Sequence, residues 1–268
     1  MCHSLGGSVL KMMSFFENDI NIIFRLAGYT WNDHFLRMPK KSDPTRKAGK
    51  LKYADVLKRE LDSGVFATKG EHTRQRLRIS AARVLEEVGY QDLTVSAISK
   101  DAGVALGTFY VYFSDKTEVA IDVVLSFIAY AYTEAQALSR GKDEYEAIYS
   151  TNRYFAHAYG ANPGLMRSFI QLQSQEPSFR ELWEPRHDEW IQKLANSIRR
   201  RGPSPPVSQS DALKMAAALE GMVFSYLYAV AVEQKPPTGK VDSDPDKIAE
   251  ILSLLWYRAV QCKDPPPR

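Results

Sequence analysis

From Thr73 to Cys262 the apolar residues return at three- and four-residue steps, interrupted only by glycine, proline or short polar runs. That period belongs to helices that bury one stripe of their surface. Leu77, Ala81, Val84, Leu85 and Val88 form one such stripe, stopped by Gly89. Thr94 stands where an N-cap is needed, ahead of Val95, Ile98 and Ala102 on one face, and Gly103 ends that helix. A third, short helix is expected from Ala105 to Phe113. Ser114 is expected to cap a fourth, with Asp115 and Glu118 in its first turn, where the helix dipole favours acids. Further helices are expected over roughly 116–139, 143–160, 163–174, 178–201, 209–234 and 245–262. Between them fall Gly141, Gly160 to Pro163, Pro177, Gly202 to Pro206, and Pro236 to Asp244. No segment alternates like a strand, and the expected fold class is all-α: a tri-helical helix-turn-helix headpiece joined to a C-terminal helical bundle.

Ahead of this lies a different composition. Residues 1–36 are apolar-rich without a regular pattern, and Met38 opens a basic region, so the start reads either as an upstream extension of the frame or as an appendage. Arg37, Lys40, Lys41, Arg46, Lys47, Lys50, Lys52, Lys58 and Arg59 there outnumber Asp43 and Asp55. Leu51, Ala54, Leu57, Leu61 and Val65 recur at helical steps, so 51–62 reads as a short amphipathic helix ended by Ser63 and Gly64. The expected division is an N-terminal extension over 1–70, a headpiece over 71–117, a helical domain over 118–262, and a tail over 263–268.

Net charge is only +3, so any basicity that serves nucleic acid must be local. Cys2 and Cys262, the two cysteines, stand at opposite ends with no metal or redox spacing, which suits a reducing compartment. The apolar stretch Val9 to Ala27 is broken by Lys11, Glu17, Asp19 and Arg25. It is therefore expected neither to cross a membrane nor to act as a secretory signal. A soluble cytoplasmic protein without membrane partners is expected. Nucleophile elbow, phosphate loop and H-E-x-x-H signatures are missing, and Glu184, His187 and Asp188 are ordinary helix neighbours. No enzyme activity, metal or cofactor is expected.

Three helices of about seventeen, eight and nine residues have the dimensions of a DNA-binding headpiece. On the third, Phe109 and Phe113 fall together and are expected to pack on the first helix. The opposite side offers Gly107, Thr108 and Val111, flanked by Tyr110 and Tyr112. The run from Asp101 to Lys116, with its Gly-Thr-Phe-Tyr-x-Tyr-Phe centre and a lysine three residues later, resembles the signature of the tetracycline-repressor (TetR) family. Leu93 to Ile98 and Ala81, Ala82 and Gly89 agree in order and spacing, over about 45 residues in all. The resemblance implies that Thr94, Thr108, Tyr110, Tyr112 and Lys116 grip the backbone of double-stranded DNA. It implies that Ser96, Ala105, Leu106, Gly107 and Val111 approach base edges. The third helix carries no Arg, Gln or Asn to read a guanine or adenine in bidentate fashion. Specificity would rest on thymine methyls, Ser96 and DNA shape. From Glu71 to Lys116 six cations meet six acids, so the basic run Arg37 to Arg59 is either an arm beside the DNA or a solubilising tail.

The downstream helices are rich in aromatic residues. Phe127, Tyr130, Tyr154, His157, Phe169, Gln173, Trp183 and His187 are candidates to line a pocket for a small apolar or aromatic effector, which the resemblance implies; core packing is the plainer reading. The fourth helix, continuous from the headpiece, is the expected lever. Ala217, Gly221, Phe224, Ile251 and Leu255 on the last two helices are candidates for a homodimer interface, small residues allowing close approach. The expected function is a ligand-responsive repressor that binds a palindromic operator as a dimer. A helical protein-interaction module with weak or no sequence-specific DNA binding is the alternative, because the third helix lacks strong base readers.

Overall fold

The computed structural model describes residues 52–64, 66, 68–140, 142–202, 206–234 and 244–262. All of them belong to one unit running from Arg46 to Arg268. Among the described residues every regular element is helical, and none is a strand. The expectations for residues 1–51, Val65 and the tail 263–268 lie outside the described residues. So does the basic run from Arg37 to Lys50.

Helix α1 (Tyr53–Asp62) precedes the headpiece proper. It ends where expected, at Ser63 and at Gly64 with a φ of 73°. Tyr53, Ala54, Val56 and Leu57 are buried against α2 (Lys69–Val88), and Tyr53 also meets Phe127 and Tyr130 of α5 (Lys116–Ser139) at 5.4 and 5.8 Å between ring centres. The sequence places this helix in the extension before residue 71, yet it packs with the headpiece. Its amino end is held by Asn162, whose side-chain oxygen accepts the Tyr53 N–H at 2.7 Å.

Helix α2 begins four residues before the expected Thr73. Thr68 and Glu71 form a reciprocal capping box: the Thr68 hydroxyl accepts the Glu71 N–H and the Glu71 carboxylate accepts the Thr68 N–H. Helix α3 (Val95–Ala102) runs as expected, from Thr94 to a left-handed Gly103. The next helix differs. Only Leu106–Phe109 (α4) is α-helical, and a hydrogen-bonded turn carries the chain to Phe113. Ala105 offers no capping side chain, and Gly107, Thr108 and Val111 are weak helix formers, so the burial of Phe109 and Phe113 sets the shape instead. Asp115, not Ser114, caps α5: its carboxylate accepts the Glu118 N–H, while Ser114 donates both N–H and hydroxyl to Glu118.

A buried polar pin joins α1, α2 and α5. Asp122 accepts from Arg74 at 2.9 Å and pairs with Arg78 at 3.2 Å. Arg78 also donates to Gln75 and Ser126, and Gln75 donates to the Leu57 carbonyl and to Glu60. Burial pushes the Glu60 carboxyl up, against the pull of Arg78.

The bundle continues as α6 (Glu144–Ala161), α7 (Pro163–Gln175), α8 (Pro177–Arg201), α9 (Gln209–Tyr228, extended by a π turn over Ala229–Glu233) and α10 (Pro245–Gln261). Each boundary falls within about three residues of the glycine and proline stops read from the sequence. Ile191, Ala195 and Ile198 of α8, Ala212, Ala216 and Leu219 of α9, and Val260 of α10 form a core at one end.

Candidate nucleic-acid interface

In the headpiece, α3 is fixed by Thr94, whose hydroxyl accepts the Ala97 N–H at 3.1 Å, and by the burial of Leu93 and Ile98. Phe109 and Phe113 are fully buried beneath α4 and its turn, their rings 5.7 Å apart. With that side anchored, the opposite side has no choice but to face outward. Leu106 is 51% exposed, Tyr110 55% and Val111 75%; Ala105 and Gly107 are exposed beside them. Thr94 and Ser96 are also exposed, while Thr108 and Tyr112 are half-buried. Leu106 thus sits on the open face and not in the core. Three bulky apolar side chains in water are costly on a lone headpiece and suit a surface that meets another molecule. The Tyr112 hydroxyl lies at the amino end of α2, where a Cβ on Gly70 would stand 3.7 Å from it.

Most headpiece cations work inward. Arg74 spreads over the Phe113 ring at 4.9 Å besides pairing with Asp122. Arg76 donates to the Ala102 carbonyl, and Arg83 pairs with Asp101 at 3.5 Å. Lys116 donates to the Gln91 carbonyl at 3.1 Å and lies over the Tyr90 ring at 5.2 Å. Lys69 and Lys100 are exposed. Lys69 belongs to α2 only because the helix starts at the Thr68–Glu71 capping box, which was the sequence signal for it.

The pocket candidates divide. Phe169, Trp183 and His187 come together: the Phe169 and Trp183 rings meet edge-on at 5.0 Å, and His187 stacks on Trp183 at 5.3 Å. Phe127 and Tyr130 do not join them, since Tyr53 of α1 takes them into the core. Tyr154 meets the Phe155 ring edge-on at 6.2 Å. His157 turns to Asp246 at 2.7 Å, beside Arg153. Gln173 takes part through its backbone carbonyl, which accepts from Arg180. Three residues outside the candidate set complete the cluster. Phe179 packs on Phe169, Phe224 on both Phe169 and Tyr159, and Tyr228 on Phe224. Glu220 lies 3.6 Å from His187 and pulls its pKa up. The four-residue steps from Glu220 to Phe224 to Tyr228 were the available signal.

Of the dimer candidates, Phe224 therefore faces inward to the aromatic cluster. Ala217 is exposed, Ile251 is 47% and Leu255 44% exposed, and Gly221 has open space where a Cβ would stand. Helix α9 with its π turn is long and apolar enough to cross a membrane by length and composition. Only 17% of its most apolar window is buried.

A family model described as "Bacterial regulatory proteins, tetR family" matches residues 79–123, from within α2 to the first turns of α5. A second, "Transcriptional regulator EthR, C-terminal domain", matches residues 148–261. The chain belongs to the TetR family. This TetR-family chain is accordingly a DNA-binding transcriptional regulator and not an enzyme. The regulator EthR of Mycolicibacterium smegmatis is 25% identical over 196 residues, 71% of this chain and 87% of that protein. EthR of Mycobacterium tuberculosis H37Rv is 23% identical over 197 residues, 71% of this chain and 88% of its own. Among solved structures, the fatty acid degradation regulator FadR from Bacillus halodurans superposes with a TM-score of 0.57 at 18% identity, covering 69% of this chain and 94% of that one. A tetR-family regulatory protein from Rhodococcus RHA1 gives 0.56 at 19%, covering 74% and 100%. At such identities these structures share the fold. Helix α1 precedes the segment that the TetR headpiece model matches.

Proposed function

We propose that this regulator is a cytoplasmic repressor that binds a palindromic operator as a homodimer and releases it when a small apolar or aromatic effector enters the bundle. The observation that carries the reading is the outward face of α4 and its turn. Leu106, Gly107 and Val111 form a small apolar surface over a fixed aromatic base, flanked by Tyr110 and Tyr112. Such a surface fits the major groove closely, with Ser96, Ala105, Leu106, Gly107 and Val111 toward base edges. Thr94, Thr108, Tyr110, Tyr112 and Lys116 hold phosphates on either side in this reading. The DNA-binding domain spans 71–117, with α1 packed against it, and the regulatory domain 118–262. An EthR-like C-terminal domain and the Phe169–Trp183–His187 cluster support an effector site there. The sparse burial of α9 and the exposed Ile251 and Leu255 support an isologous dimer.

Footprinting the purified protein on its own upstream DNA, followed by Tyr110→Phe and Lys116→Ala, tests the interface. Lys116→Ala is expected to weaken binding several-fold and to lower the slope of log affinity against log salt by about one. Unchanged binding by both variants overturns the assignment. Leu255→Glu combined with Ile251→Glu is expected to give a folded monomer in sedimentation, because both side chains are exposed in the single chain. A persistent dimer places the interface elsewhere.

A further inference from the structure

Helix α7 is fastened to the headpiece at both ends, and at its carboxyl end the fastening runs to Lys116. At the amino end Gly164 lies directly on the α2 backbone at Glu86, and the Glu86 carboxylate accepts the Leu165 N–H at 3.1 Å. At the other end the Gln171 side-chain oxygen accepts the Tyr90 N–H at 2.7 Å and the Gln91 N–H at 3.4 Å. Just beyond, at the start of α8, Glu176 accepts the Tyr90 hydroxyl at 2.5 Å; that hydroxyl is also 2.9 Å from Thr117. The loop between α2 and α3 is thus held by the corner of α7 and α8. On the same loop, the Tyr90 ring carries the Lys116 ammonium, and Gln91 accepts from it.

We propose that Tyr90 is a positioning residue that couples the aromatic cluster of the bundle to the DNA-facing Lys116. The proposal rests on the reading of Lys116 as a phosphate contact and of the bundle as the effector domain. Phe169 stands on α7, two residues before Gln171, and touches Phe179, Trp183 and Phe224. A molecule that separates those rings displaces α7, and a helix moves as a rigid rod on this scale. Gln171 and Glu176 then move together. Either the phenol follows its acceptor, turning the ring under Lys116, or the hydrogen bond breaks and the ring is released. These two arrangements of one loop give the bistable element that coupling requires. A hydrogen bond to a charged acceptor is strong enough to support roughly tenfold coupling. Helix α5 carries Lys116 and Thr117 at its start, so it shares this corner and is not the sole lever.

Because binding linkage is reciprocal, the test needs no effector. The full chain is labelled with 5-fluorotryptophan, the Trp183 resonance is assigned with Trp183→Phe, and the protein is titrated with the duplex found by footprinting. In the wild-type chain saturation with DNA is expected to shift the Trp183 resonance. Tyr90→Phe and Glu176→Ala are expected to bind the duplex within about threefold of wild type, since Lys116 and its ring partner remain, yet to lose that shift. Glu176→Gln keeps an acceptor for the phenol and is expected to restore it. A Tyr90→Phe chain that retains the full shift overturns the coupling, as does a wild-type chain that binds DNA without any shift. A wild-type chain that binds no duplex overturns the underlying DNA-contact reading, and the coupling with it.

Discussion

Replacing Gly164 by alanine is expected to separate α7 from α2. An added Cβ would stand 2.1 Å from the Glu86 carbonyl oxygen, 2.4 Å from its Cα and 2.5 Å from its carbonyl carbon. Ordinary contact begins near 3.4 Å, so the two backbones must part by about 1 Å. No side chain is in the way to swing aside; the obstacle is the α2 main chain. Overpacking of this kind costs about 1–3 kcal/mol. The shift also stretches the bond from the Leu165 N–H to the Glu86 carboxylate, a charged acceptor worth about 1.5–3 kcal/mol. Together the loss is about 2.5–6 kcal/mol, a large part of the 5–15 kcal/mol typical of whole domains. Urea unfolding followed by circular dichroism at fixed protein concentration measures it. With a slope of about 3 kcal/mol/M the midpoint is expected to fall by about 1 M or more. Gly160→Ala supplies the control: the same atom is added within α6, where it meets nothing within 4 Å. That change is expected to stabilise by about 0.5 kcal/mol through helix propensity. If Gly164→Ala unfolds within about 0.2 M of wild type, the close approach of α7 to α2 is refuted.

Two further perturbations probe the polar groups. Asp122→Asn leaves the enclosed Arg78 guanidinium without its anion, and breaking a buried pair costs about 3–5 kcal/mol, or roughly 10 °C in Tm, read by thermal denaturation; a shift under about 2 °C would falsify the structural role of the pin. For His187, the Glu220 carboxylate 3.6 Å away raises the pKa above the ordinary 6.5, burial opposing it. The folded state therefore holds that proton more tightly than the unfolded chain does. The resulting stability is complete below pH 6.5 and fades as the pH climbs through the raised folded value. Glu220→Gln is expected to cost more stability at pH 6 than at pH 8.5, by a modest amount because both side chains retain solvent contact. Equal costs at the two pH values would show that the pair does not titrate as one.

The parts of the fold that were legible in the sequence are those decided within one or two turns. Gly89, Gly103 and the Pro163 and Pro177 starts mark helix ends because backbone conformation and a missing N–H act locally. Thr94 could be placed as a cap, and Phe109 and Phe113 as the buried side of the third helix, by the same short-range rules. The length of that helix could not. Periodicity over 105–113 fits a helix of nine residues, but the aromatic anchors are satisfied by four helical residues and a turn. Long-range choices were hidden altogether. Phe127 and Tyr130 look like pocket residues until Tyr53, more than 70 positions earlier, closes on them. His157 reads as a ligand contact until Asp246 claims it across 89 positions. On α9, Ala217, Gly221 and Phe224 share one helical stripe, yet the large ring turns to Phe169 while the small residues stay open.

The headpiece charge balance acquires a physical meaning from these contacts. Arg74 and Arg78 hold α2 to α5 through Asp122; Arg76 closes the end of α3, and Arg83 pairs with Asp101. Cations committed to the frame make the headpiece rigid but contribute little to phosphate neutralisation, which scales with the charges that reach the backbone. Each released counterion is worth about 0.9 in the salt slope, so one headpiece with few outward lysines holds DNA weakly. Joining two headpieces changes the arithmetic, because the second binds at the high effective concentration set by the first. The apolar face of α9 and α10 proposed to join them would then do more than stabilise a fold: it would raise a weak, shape-reading surface to useful affinity. On the proposed reading, a small displacement between the headpieces, of the kind assigned to the α7–Tyr90 corner, would be enough to release the DNA.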